Sequence, residues 1–251
     1  MRLKGKVAIV TGGGAGVGQA IAQRYALEGA SVALAEVDME RGKATEAVIN
    51  SRGGQAVFVP ADVSDEVQVK GLVQATLARF GRIDVLVNNA AIIPPQEGRA
   101  HELTNEAWDR TMSVNLRGYW LVSKYVIPTM LRQGAGSVIF IASPTGMLGF
   151  TRLTAYSTSK GGTLGLMRAM AADYAPEHIR VNAIVPGTMD TPMNAEELSD
   201  PANRKKYIAM APAGRLGVAD DISGMAVFLA TEDSDYCVGG IFMVDGGLTA
   251  I

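Results

Sequence analysis

The sequence has little from which to build a metal or disulfide centre. One cysteine, Cys237, and two histidines, His101 and His178, stand among 251 residues. A lone cysteine excludes an intramolecular disulfide framework and any CxxC motif, and it fits a reducing compartment. The histidines are too isolated to form a metal pair and read as solvated or capping residues, while Cys237 reads as a small packed hydrophobe. An excess of charge of one sign is missing as well. The formal net charge is −2, so no basic field points to nucleic acid or to an anionic membrane. No run approaches the ~18 apolar residues of a membrane helix. In the opening stretch MRLKGKVAIVTGGG, the apolar run Val7 to Val10 is too short for a signal-peptide core. The expectation is a soluble, cytoplasmic protein acting on a small molecule, with no metal and no nucleic-acid or membrane partner.

With 48% hydrophobic and 19% charged residues, the chain can bury a large core and is not disordered. Strand-like runs fall at 6–11, 31–36, 55–60, 83–88, 137–142, 179–186 and 240–245. Most lack alternation, as expected of strands covered on both faces. Between them lie helical patterns. In 64–80, Val69, Leu72, Val73, Leu77 and Phe80 make one apolar face. Strands alternating with helices predict an α/β fold, a Rossmann-type doubly wound parallel sheet of about seven strands with helices on both faces. The whole chain, 1–251, reads as one dinucleotide-binding domain. The long segment 188–214 shows little pattern and follows the carboxyl end of a strand, where ligands of open α/β sheets bind. It is expected to be a substrate lid. Its Arg204, Lys205 and Lys206 read as a solvated helix face rather than an anion site, and its methionines as pocket or packing residues.

TGGGAGVG (11–18) runs from the first strand into the first helix. Its spacing, Gly12, Gly16 and Gly18, suits a tight turn that brings backbone N–H groups to a pyrophosphate at the helix amino end. Glu36 ends the second strand, where an acid hydrogen-bonds the adenosine ribose hydroxyls. It also repels a 2′-phosphate by about 4 kcal/mol at 4 Å and an effective dielectric of about 20, before screening. Ala15 offers no compensating cation, and Arg41 reads as solvated. The cofactor expected is NAD. In AYSTSK (155–160), Tyr156 and Lys160 are four apart and share a helix face. A phenol ionises near pH ~10, and a neighbouring ammonium would make it a more usable base.

TGGGAGVG, ADV (61–63), NNAA (88–91), Asn115 in SVNLRG, Ser143 in IASPTG, YSTSK (156–160), VPGTMDT (185–191) and VDGG (244–247) together resemble a classical short-chain dehydrogenase/reductase over essentially the whole chain. Ala91 departs from the usual glycine of NNAG, and Pro144 directly follows the serine.

The resemblance implies that Tyr156 is the general acid/base, with its pKa lowered jointly by Lys160 and a positive nicotinamide ring. It implies that Lys160 holds the nicotinamide ribose, Ser143 hydrogen-bonds the substrate oxygen, and Asn115 orders a water relay. It places the cofactor on Gly12, Gly16, Val17, Gly18, Glu36, Asp62, Val63, Asn89, Tyr156, Lys160, Pro186, Met189 and Thr191, with Asp62 at adenine and Thr191 at the carboxamide. Ser123 and Thr145 read as structural. A homotetramer is expected from the resemblance and from the apolar helical segments 104–134 and 154–176, and the terminal GGLTAI is expected to dock. The function expected is hydride transfer between NAD(H) and a small secondary alcohol or hydroxy compound. An NADPH-dependent 3-oxoacyl-carrier reductase is the alternative.

Overall fold

The computed structural model describes residues 1–250. Seven parallel strands form one sheet in the order β3-β2-β1-β4-β5-β6-β7. They are β1 (Val7–Thr11), β2 (Ser31–Glu36), β3 (Gln55–Pro60), β4 (Val85–Asn88), β5 (Gly136–Ile141), β6 (Ile179–Pro186) and β7 (Ile241–Val244). Every expected strand is present, each within two residues of its expected bounds. The helices are α1 (Gly16–Leu27), α2 (Met39–Ser51), α3 (Glu66–Phe80), α4 (Asn105–Met112), α5 (Gly118–Gln133), α6 (Thr154–Tyr174), α7 (Ala195–Ser199), α8 (Pro201–Met210) and α9 (Asp220–Ala230).

The missing alternation in the strands has a direct cause. Ile9, Leu86, Val138 and Phe140 face a core built with α3, α5 and α6. Their neighbours Ala8, Val10, Val85, Val87, Ile139 and Ile141 face a second core built with α1, α2 and α9. Both faces of the central strands are therefore dry, and both sets of positions must be apolar. Each core side chain buried on this scale contributes about 1.5–3 kcal/mol. Local signals set the helix ends: Asp38, Asp65, Thr104 and Asp200 cap α2, α3, α4 and α8, accepting bonds from first-turn amides.

Strand order reverses beside β1, which pairs with β2 on one side and β4 on the other. Loops leaving their carboxyl ends diverge there and open a crevice. The segment 188–214 is not the patternless loop its sequence suggested. It holds a short 3₁₀ turn (Pro192–Asn194) and two helices, α7 and α8. At the terminus, Leu248 is buried and Thr249 donates to Asp245, as docking requires. Ile251 lies outside the described residues.

Candidate active site

A cleft of about 570 Å³ runs along the carboxyl ends of the strands, from Glu36 and Asp62 at one end to Ser143, Tyr156 and Lys160 at the other. Most of the residues expected at the cofactor line it: Gly12, Gly16, Val17, Glu36, Asp62, Val63, Asn89, Pro186, Met189 and Thr191. Two expected residues lie behind the wall instead, Gly18 and Asn115.

Gly18 shapes the loop from beneath. A Cβ there would stand 2.2 Å from the Gly12 carbonyl oxygen and 2.4 Å from Asn89 Nδ2. Asn89 in turn donates from Nδ2 to the carbonyls of Thr11 (2.9 Å) and Gly12 (3.2 Å), fastening the glycine turn to the end of β4. Gly12 has φ of 64°, left-handed backbone that favours glycine. Ala15, at the N-cap of α1, supplies no side-chain cap. The first-turn amides of α1 thus keep their capacity for a phosphate. A tight glycine turn, an uncapped helix start and an acid at the end of β2 fit a dinucleotide.

Glu36 is more constrained than its expected role suggested. Its Oε1 accepts from the amides of Val37 (2.8 Å) and Asp38 (3.2 Å), and Oε2 from Gly14 (3.1 Å). A carboxylate offers about four lone-pair sites, so about one remains for a ribose hydroxyl rather than enough for both. Arg41 lines the same mouth, with Nε 3.1 Å from Asp38 Oδ2. Burial raises the Asp62 carboxyl, but hydrogen bonds from Ser64 and the Arg110 guanidinium outweigh it and hold it below the ordinary value.

At the other end, α6 carries Tyr156 and Lys160 on one face, both buried. Lys160 Nζ donates to the Ile141 carbonyl (2.7 Å) and to Tyr119 Oη (3.3 Å), and it stands 5.7 Å from the Tyr156 ring centre. Burial pulls this ammonium down to about 7. The same burial pushes the Tyr156 phenol up to about 12, against a weaker opposite pull from the Ser143 hydroxyl. The lowering expected of Tyr156 is a joint effect of Lys160 and a positive nicotinamide ring; among the side chains alone, burial is the larger influence on the phenol. The lysine's own hydrogen bonds go to Ile141 and Tyr119 rather than to the phenol.

Ser143 leaves β5 and faces the cleft, and its oxygen accepts from the Thr145 hydroxyl (3.0 Å) and amide (3.3 Å). Its own O–H is left to donate elsewhere. Asn115 sits in a π-helical turn, Ser113–Arg117, a feature common at functional positions. Its side chain is spent: Oδ1 accepts from Ile92 N (2.8 Å), and Nδ2 donates to Ile92 O (2.9 Å) and Ser159 Oγ (3.2 Å). Any part it takes in proton movement belongs to its main chain.

Sequence reasoning missed three residues here. Tyr119 is a buried partner of Lys160, Thr145 orients Ser143, and Arg110 pairs with Asp62 (3.2 Å). Only Thr145, two positions after Ser143, carried a local signal. Ser123 holds Asn88 (3.1 Å) and is structural as expected. His101 and His178 are exposed, and His178 ends a 3₁₀ turn in left-handed backbone.

Comparison with known proteins agrees with this geometry. Residues 12–249 match the family described as Enoyl-(Acyl carrier protein) reductase. A 2-(R)-hydroxypropyl-CoM dehydrogenase from Xanthobacter autotrophicus is 40% identical over 98% of this chain and 99% of its own. The 3-oxoacyl-[acyl-carrier-protein] reductase FabG of Thermotoga maritima is 35% identical over 99% of each chain. A Beutenbergia cavernae structure provisionally assigned as an NAD(P)-dependent gluconate 5-dehydrogenase, with NADP bound at low occupancy, superposes with a TM-score of 0.94. It is 36% identical, covering 99% of this chain and 98% of its own. The chain belongs to the short-chain dehydrogenase/reductase family. It is an oxidoreductase acting on hydroxy or keto groups.

Proposed function

We infer that the protein is an NAD-dependent dehydrogenase of a small, uncharged secondary alcohol or hydroxy compound, equally a reductase of the matching ketone. The observation that carries this reading is one continuous cleft. Glu36 stands at its dinucleotide-selecting mouth, and Ser143, Tyr156 and Lys160 converge at its far end. A bound oxidised nicotinamide would supply the hydride acceptor and, until transfer, a positive charge that favours the phenolate. Tyr156 takes the alcohol proton as the hydride leaves and returns it in the reverse direction. The Ser143 hydroxyl, backed by Thr145, donates to the oxygen as its charge changes. Lys160, fixed by Ile141 and Tyr119, presents its ammonium to the ribose and to the phenol's field. The helices α7 and α8 act as the lid over the substrate end.

The substrate class follows from the charges on the walls. The basic side chains lining the cleft are Arg41 and Arg110, both towards the adenosine end, and Lys160. The substrate end carries Phe150, Leu153, Met193, Leu198 and Tyr207, with Glu197 as its one further charge. A carboxylate, sulfonate or acyl-carrier substrate would meet Glu197 without a cationic partner. NADPH-dependent 3-oxoacyl reduction remains a second reading, supported by the FabG relative and by Arg41 beside Glu36.

The lone cysteine suits a cytoplasmic enzyme, and by resemblance it works as a homotetramer. No described helix is long and apolar enough to cross a membrane. A panel of neutral alcohols, sugars, cyclic diols and hydroxy acids, followed by NADH and NADPH absorbance, tests the reading. Turnover of neutral substrates with NAD supports it, and turnover confined to acyl thioesters with NADPH refutes it. Tyr156→Phe should abolish that turnover and leave dinucleotide binding intact. Retention of more than about a tenth of kcat would remove Tyr156 from its role.

A further inference from the structure

The amino end of α6, the helix that carries Tyr156, is capped from elsewhere in the chain. Leu153 occupies its N-cap position and supplies no side-chain cap. Every helix leaves its first amides without internal partners, and here two of them are taken by Glu97. Tyr156 N–H donates to Glu97 Oε1 at 2.5 Å across 59 residues, and Ala155 N–H donates to Oε2 at 3.3 Å. The next residue joins in, since the Thr154 hydroxyl donates to the Gly98 carbonyl at 2.8 Å. By contrast α2, α3, α4 and α8 are capped by the residue directly before them.

Glu97 belongs to the stretch that leaves β4 and whose first residues, Ala91 to Ile93, line the cleft. Near its start, Ile92 exchanges two hydrogen bonds with Asn115 and lines the cleft with Ile93. At its far end Glu97 grips the main chain of Tyr156 itself. The stretch is thus a strap fixed at both ends to residues of the candidate site. A carboxylate accepting backbone N–H bonds is about twice as strong an acceptor as a neutral group, and it also complements the positive end of the helix dipole. Because the bonded amide is that of Tyr156, the carboxylate fixes the Cα from which the phenol projects.

We propose that Glu97 is the positioning residue for Tyr156, holding its main chain in the reactive placement without touching substrate or cofactor. The proposal rests on Tyr156 being the acid/base, so Tyr156→Phe is measured beside it. Errors of 1 Å at a reacting group cost up to about 10²-fold in rate. Glu97→Ala is therefore expected to lower kcat at least tenfold while KM for NAD stays within about twofold, because Tyr156 is the one cofactor-side residue it bonds, and there only at the main chain, while the glycine turn, Glu36 and Lys160 are untouched. Glu97→Gln keeps one acceptor oxygen at the same reach and should recover most of the rate. The Ala155 and Tyr156 amides should exchange hydrogen faster in Glu97→Ala than in the parent. Asp65→Ala, which removes the cap of α3, a helix with no residue in the cleft, gives the effect of losing a cap alone; it should lower Tm and leave kcat unchanged.

Wild-type kcat in Glu97→Ala, or an equal loss of kcat in Asp65→Ala, would overturn the proposal. If Glu97→Ala does not fold, Glu97→Asp withdraws the carboxylate by one methylene and is read the same way: reduced kcat with unchanged KM for NAD supports the proposal, and wild-type kcat overturns it. Should Tyr156→Phe keep its turnover, the acid/base reading fails and not the cap. A dead Tyr156→Phe with an unaffected Glu97→Ala refutes the positioning role alone.

Discussion

The two ends of the cleft are made in different ways. The dinucleotide end is shaped by main chain that admits no side chain: Gly18 lies under Gly12 and Asn89, and Gly12 holds a left-handed turn. The substrate end is assembled from side chains on three separated stretches, around 91–93, 143–153 and 188–207. One end is a backbone mould and the other a side-chain mosaic. A mould fails abruptly when altered, whereas a mosaic changes by degrees.

The sharpest way to break that comparison is Gly18→Ala. The new methyl would have to displace the Gly12 carbonyl and Asn89, an overpacking cost of about 3 kcal/mol, or about 10²-fold in dinucleotide Kd. Titration calorimetry reads it, and undiminished binding would show that the loop is not a mould. On the mosaic side, Ser143→Ala should cost on the order of 10²-fold in kcat with little change in dinucleotide KM. A full rate would move the oxygen-holding role to another group.

Glu36→Ala comes next. Losing one acceptor and one repulsive charge should shift the NAD/NADP ratio of kcat/KM by about 2 kcal/mol, roughly 30-fold. Adding Arg41→Ala should bring part of that ratio back if the guanidinium engages a 2′-phosphate. A ratio unmoved by Glu36→Ala would end the case for NAD selection by this residue.

Lys160 links function to stability with a definite sign. Its folded pKa of about 7 lies below the ordinary lysine value, so the unfolded chain binds the extra proton between pH ~7 and ~10.4. Stability therefore rises with pH through that window, and the full cost of burying the ammonium is felt below it. Lys160→Met should accordingly be more stabilising at pH 6 than at pH 9, by about 2 kcal/mol, a few degrees in Tm. Equal gains at both pH values would show that the ammonium is not destabilised by burial. The smallest effect belongs to Gly149→Ala in the mosaic. Its added Cβ meets nothing within 4 Å, and stability should stay within about 0.5 kcal/mol.

The same contrast explains what could be read before the structure. TGGGAGVG and YSTSK were legible because each encodes its geometry within one turn of chain. The doubled apolar strands were legible because both faces are dry. Tyr119, Arg110 and Glu97 were not, since each acts on a residue dozens of positions away and carries no local pattern. The helix α8 is a different failure. Asp200 followed by Pro201 is a helix-start signal, but the segment lacks the apolar stripe that draws attention to a helix.

The grip of Glu36 on its own loop has a consequence for how such an enzyme could diverge. Three main-chain amides from two sides of the cleft mouth, Gly14 and the Val37–Asp38 pair, converge on the Glu36 carboxylate. A descendant that exchanged this acid for a smaller or basic residue would release those amides as it changed cofactor. The route from one nicotinamide pool to the other therefore passes through a loosened loop. A lineage taking it would need a second substitution nearby to tighten the mouth again, so cofactor choice and loop order are inherited together.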